Sequence, residues 1–259
     1  MNVTKSLIKE YIKYLQIKGT QKDVTIAKNI RNLKPFLNYC MHEDQEYITK
    51  FEIEVPKFDE VIPITFSTEQ LSVLMRKPDI KKGRNIIEFR NWLMSAHMFD
   101  TGNRISTIIN IKIADLHLEE YYIELQHTKN RKKKMQPISQ ELCLHIREFL
   151  RYRGGDYKDY LYCSQFGKQL TRSGAYQSLK KYNISRGISM VKPHAYRYSF
   201  AENFLLQSDD IYALKELLGH SNLSMVLKYL RAFNKNLQPI VEQTSPLKKY
   251  METKRKVLK

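Results

Sequence analysis

Apolar residues recur every three or four positions along most of this chain, the spacing of helices that bury one face. Between residues 4 and 41 there are two such stripes: Leu7, Ile8, Tyr11, Ile12 and Leu15, then Ile26, Ile30, Leu33 and Leu37 beyond a break at Gly19. Pro35 interrupts the second stripe. It lacks the N–H of the i→i−4 bond and so predicts a kink or an end near Lys34. Lys9, Lys13, Lys28 and Arg31 occupy the opposite faces, where charge usually marks only a solvated surface.

Residues 50–65, KFEIEVPKFDEVIPIT, hold two prolines and no helical period, which predicts an extended connection. Ser67, with Gln70 three residues on, has the form of a capping box at a helix start. These signals place a helical domain at 1–55, a linker at 56–66, a second domain at 67–232 and a tail at 233–259. Helices are predicted in the second domain near 67–76, 84–99, 104–112, 139–152, 171–185, 193–206, 209–218 and 222–231. One stretch departs from that period. Residues 121–125 and 135–138 read as short strands joined by a polar run ending in Arg131, Lys132, Lys133 and Lys134. Pro137 confines the second strand to an edge, or ends it. The fold class is mainly α with a small β-sheet.

Composition narrows the function. With 42% hydrophobic residues and 17 tyrosines, the chain is too apolar for disorder. Lys and Arg number 44 against 27 Asp and Glu, a net charge of +17. Such an excess suits a phosphate-backbone partner, although a basic surface alone names no function. Cys40, Cys143 and Cys163 are odd in number, far apart and without metal-ligand spacing, which fits a reducing cytosol and a role as small apolar filler. No apolar run approaches the ~18 residues of a membrane span. The N-terminus opens into an amphipathic polar segment rather than a signal peptide. A cytoplasmic protein with no membrane partner is expected. Neither a carboxylate cluster for paired magnesium ions nor a glycine-rich phosphate loop is evident, so no metal or other cofactor is expected.

Four short blocks concentrate reactive groups. Thr101-Gly102-Asn103-Arg104-Ile105-Ser106 precedes a helical apolar pattern, and Lys129 lies in the run between the predicted strands. His194-Ala195-Tyr196-Arg197 sits on a helix opened by Pro193, and Leu217-Leu218-Gly219-His220-Ser221 is followed by Tyr229, nine residues beyond His220. Taken singly, each has an ordinary structural reading. A histidine such as His194 is more often a cap or a core group, and a tyrosine in an apolar helical pattern is more often half-buried core.

In this order and at these spacings the blocks resemble the tyrosine recombinase, or phage integrase, family. The resemblance covers nearly the whole chain, since residues 4–41 are similar to the family's helical core-binding domain. Two positions differ from the usual pattern: Thr107 stands in place of an acidic residue, and Lys228 and Leu230 flank the tyrosine in place of threonines. The resemblance implies a site-specific recombinase or integrase, of a mobile element or Xer-like, that cleaves and rejoins double-stranded DNA through a 3′-phosphotyrosyl intermediate without metal. It implies Tyr229 as nucleophile, Lys129 as general acid, and Arg104, His194, Arg197 and His220 as the other catalytic groups. It further implies a catalytic domain at 67–232, two domains closing on DNA as a C-shaped clamp, a tetramer on DNA, and a tail that docks on a neighbouring protomer. Lys9, Lys13, Lys28, Arg31, Arg131, Lys132, Lys133 and Lys134 are the expected DNA contacts.

The residue types suit that chemistry. A phosphodiester under attack spreads negative charge over its non-bridging oxygens, and a guanidinium fork matches them while staying charged at any relevant pH. His194 and Arg197 are three apart and share one helical face. A phenol with a pKa near ~10 is about one part in a thousand ionised at pH 7, a deficit of roughly 4 kcal/mol. It therefore needs a base and cations nearby. Lys132, Lys133 and Lys134 remain alternatives to Lys129 as general acid. Two rivals share some of these features: a type IB topoisomerase, and a recombinase-derived DNA-binding regulator that no longer cuts. The presence of all six catalytic groups weighs against the second.

Overall fold

The computed structural model describes residues 3–43, 48, 50–57, 63–79, 85–126, 133–190, 192–208, 210–233, 245 and 247. Lys129, Arg131, Lys132 and nearly all of the 233–259 tail lie outside them. The chain forms two compact units, residues 1–62 and 63–259.

In the first unit α1 (Lys5–Ile17) and α2 (Asp23–Glu43) face each other through their apolar stripes. Ile8, Ile30, Leu37 and Met41 form its core, completed by Ile48 and Ile53 from the segment that follows. Thr4 caps α1 by accepting the Leu7 N–H. Of the two outcomes expected at Pro35, a kink or an end, the end is excluded: α2 runs through Lys34 and Pro35 to Glu43. Leu37 and Met41, both beyond the proline, are buried in the core, and that burial outweighs one lost backbone bond.

The second unit is built around α4 (Ile86–Thr101), whose Phe89, Trp92, Leu93, Met94 and Met98 are all buried. A helix apolar on so many sides belongs inside a layer of others. Around it pack α6 (Gln140–Arg153), α7 (Arg172–Ser185) and α8 (Pro193–Ser208). Short α3 (Thr68–Leu74) starts with the capping box expected of Ser67 and Gln70. The predicted helix at 104–112 is a single turn, α5 (Ile105–Ile108), because the chain then leaves through a 3-10 turn at Ile113–Asp115. Three antiparallel strands follow in the order β1 (Leu116–His117), β2 (Tyr122–Leu125), β3 (Lys134–Pro137), with Leu125 paired to Lys134. Pro137 closes β3 on the sheet's edge. A second cluster joins α8 to α9 (Ile211–Leu218) and α10 (Ser224–Phe233) through Ala201, Leu205, Leu214, Leu218, Val226 and Tyr229. No helix among the described residues is long and apolar enough to cross a membrane.

Candidate active site

Two glycines bring the reactive blocks together. Gly102 ends α4 at φ +64°, and a Cβ there would stand 2.5 Å from Phe200 Cδ1 and 2.6 Å from Leu218 Cδ2. Only glycine tolerates both the left-handed backbone and that approach. The turn delivers Arg104, exposed, as the N-terminal flanking residue of α5. Gly219 ends α9 in the same way, at φ +64°, and turns the chain to His220. Tyr229, on α10, is 6% exposed, with its ring centroid 5.9 Å from that of His220.

Arg197, on α8, is the hub. It is 3% exposed, and its Nη1 donates to the Gly102 carbonyl at 2.6 Å while Nη2 donates to the Leu218 carbonyl at 2.9 Å. Nη2 also reaches His220 Nε2 at 2.5 Å, and a further hydrogen bond links the guanidinium to the Tyr229 phenol. Burial pushes the Arg197 pKa down and Arg104 adds to that, while Tyr229 opposes both. One side chain thus ties the end of α4, the end of α9 and the nucleophile candidate on α10.

The imidazoles lie in a cationic field. His220 is held down to about 4, first by burial and then by Arg197, Arg104 and Lys134, so it is neutral at pH 7. Since a guanidinium only donates, His220 Nε2 accepts, which places the ring proton on Nδ1. That buried Nδ1 has no hydrogen-bond partner among the described residues. His194, one turn before Arg197 on α8, is exposed and also lowered, by desolvation and then by Arg197, Arg104 and Arg172. It too is a neutral base at pH 7. Tyr198 neighbours both His194 and Tyr229, with its ring 6.1 Å from the first and 5.6 Å from the second.

Arg104, His194, Arg197, His220 and Tyr229 therefore lie together in one part of the second unit, whereas Lys129 lies outside the described residues. Lys9, Lys13, Lys28 and Arg31 are exposed on α1 and α2. Lys133 is exposed and pairs with Glu124. Lys134 corrects its expected place among the outward DNA contacts. Its ammonium is half-buried and bonded to the Gln136 side chain and to the carbonyls of Glu216 and Leu217. The sequence reading also missed Arg172 and Tyr198. Neither stands in a spacing pattern, and only the packing of α7 and α8 brings them to the site.

A phenol set among guanidinium groups, an ammonium and two neutral imidazoles can carry out nucleophilic substitution at an anionic ester: the cations offset charge at phosphorus, and an imidazole accepts the phenol proton. The family model described as the phage integrase family matches residues 65–236. The chain belongs to the phage integrase family, the tyrosine recombinases. It is 24% identical over 254 residues to the tyrosine recombinase XerD of Halalkalibacterium halodurans, covering 95% of this chain and 83% of that one. Against XerD of Lacticaseibacillus casei the identity is 28% over 236 residues, covering 88% and 78%. Its fold is shared with XerH site-specific recombinase in a post-cleavage complex with palindromic difH substrate (TM-score 0.75, 20% identity, 95% of this chain and 73% of that one). The Tn1549 transposon integrase in complex with transposon right end DNA has the same fold (TM-score 0.69, 22% identity, 88% and 80%).

Proposed function

We propose that this enzyme is a site-specific recombinase in which Tyr229 attacks a phosphate of double-stranded DNA. The Tyr229 oxygen bonds to phosphorus, the 5′ oxygen leaves with a proton from Lys129, and a 3′-phosphotyrosyl link conserves the bond energy. A 5′ hydroxyl then attacks that link and restores the phenol. Arg104 and Arg197 bind the non-bridging oxygens, His194 accepts the phenol proton, and His220 donates a hydrogen bond to the phosphate. The observation that carries this reading is the convergence on Arg197 of Gly102, Leu218, His220 and Tyr229 from separate segments. The DNA-bound state of the XerH and Tn1549 integrase structures supports duplex DNA as the partner.

Strand exchange needs two sites, so the enzyme acts as a tetramer on DNA, in the cytoplasm, with residues beyond about 234 docking on a neighbouring protomer. Lys9, Lys13, Lys28, Arg31, Arg131, Lys132 and Lys133 contact the DNA. The side-chain cations supply the charge a metal would otherwise bring. Selection of bound and cleaved sites from random DNA, with denaturing gels to trap the covalent adduct, tests the proposal. An adduct at one recurrent sequence, formed equally in EDTA, is expected. Relaxation of supercoils with no site preference would instead make the protein a topoisomerase.

A further inference from the structure

The β2–β3 region and the turn that carries His220 are locked together by one ammonium group. Lys134, the first residue of β3, donates to Gln136 Oε1 at 3.0 Å, to the Glu216 carbonyl at 2.8 Å and to the Leu217 carbonyl at 2.7 Å. A lysine ammonium has three N–H donors, and these three acceptors use all of them. The last carbonyls of α9 lie at the negative end of the helix dipole, where a cation is favoured, and that of Glu216 also accepts the Gly219 N–H. Lys134 takes two of them and Arg197 takes the third, at Leu218. Gly219 lies directly beneath, where an added Cβ would stand 3.6 Å from the Lys134 Nζ.

We propose that Lys134 is a positioning residue, an ammonium clip that fixes the end of α9, and with it His220, against the strand that follows the candidate general acid Lys129. This deepens the recombinase reading above and rests on it for the identity of the reaction. Its saturated donors set Lys134 apart from a general acid, which must give a proton to the leaving oxygen rather than hold a helix end. The charged groups around it are Arg197 on α8, Arg104 at the start of α5 and Glu216 on α9, with His220 beside them. Burial, and then the two arginines, lower its pKa to about 8, with Glu216 opposing. Loss of the proton leaves an amine with two donors for three acceptors, so the clip weakens above that pH.

Single-turnover cleavage of a suicide substrate by Lys134→Met and Lys134→Arg tests this. The Met variant is expected to cleave about 10²-fold more slowly, the scale of an ångström's misplacement. A 5′-bridging phosphorothiolate, whose sulfur leaves without a proton, is not expected to rescue it. Lys134→Arg, which keeps a permanent charge and several donors, is expected to restore most of the rate. It should also remove the alkaline fall that wild type shows with a midpoint near 8. Rescue of the Met variant by the phosphorothiolate would make Lys134 the general acid and overturn the proposal. So would a wild-type rate in Lys134→Met, or an unchanged alkaline limb in Lys134→Arg. Amide hydrogen exchange at Gly219 and His220, whose N–H groups bond to the carbonyls of Glu216 and Lys215, gives a readout that does not depend on cleavage. At least tenfold faster exchange is expected in Lys134→Met. Unchanged exchange sinks the clip even if wild type forms no adduct, an outcome that by itself counts against the recombinase reading alone.

Discussion

Arg197 and His220 meet through Nη2 and Nε2 at 2.5 Å, a contact that places the ring proton on Nδ1, while burial first and then Arg197, Arg104 and Lys134 keep the ring neutral. The folded pKa of about 4 lies below the ordinary value of 6.5. As pH falls from 6.5 towards 4 the unfolded chain takes up this proton before the folded one does, so stability present above pH 6.5 is lost across that window. Thermal melts at pH 7 and pH 5 should show wild type losing more than His220→Gln. Equal losses would mean that burial and the surrounding cations do not hold the ring neutral in the folded protein.

Tyr229→Phe is expected to bind DNA with little change and to form no covalent adduct. The chain has 17 tyrosines, and Tyr198 sits 5.6 Å away, ring to ring. The informative control is therefore Tyr198→Phe, which should still yield the slow-migrating adduct. An adduct that persists in the Tyr229 variant would move the nucleophile elsewhere.

The two arginines should separate by stability. Each change to alanine is expected to slow cleavage roughly 10²–10³-fold, as when a preorganised charge stabiliser is lost. Arg104 is exposed, so Arg104→Ala should melt within a few degrees of wild type. Arg197→Ala leaves the carbonyls of Gly102 and Leu218 without their donor, at about 1–3 kcal/mol for each buried group. Urea denaturation of the two variants decides. Equal midpoints would contradict the hub role of Arg197.

Lys129→Ala should stop cleavage of an ordinary substrate and recover with the 5′-bridging phosphorothiolate. Recovery of Lys132→Ala or Lys133→Ala, and not of Lys129→Ala, would reassign the general acid.

Gly102→Ala tests the turn that supports Arg104. A left-handed backbone costs alanine roughly 1–2 kcal/mol, and the clash with Phe200 and Leu218 adds about 1–3 more. The melting temperature and the cleavage rate should fall together. A variant as stable as wild type would show that α4 ends with more room than the packing indicates.

The sequence made most of this legible wherever local rules decide. The stripes of α1 and α2 and the Ser67 box act within a few residues, and each produced its element. Pro35 does not end its helix because the buried contacts of Leu37 and Met41 beyond it are tertiary, and no helix rule anticipates them. The two-residue β1 exists only because β2 lies beside it. Among the site residues, those carried by spacing converged. Lys134 was hidden in a run of like charges, since nothing local says which lysine turns inward to a helix end.

The contacts that hold the site go mainly to main-chain oxygens: Gly102 and Leu218 for Arg197, Glu216 and Leu217 for Lys134. A carbonyl is the same in every amino acid. Substitution can therefore replace the side chains at 216, 217 and 218 without erasing the acceptors that aim the cations. Such an arrangement leaves the sequence around the cations free to diverge without moving the acceptors that hold them.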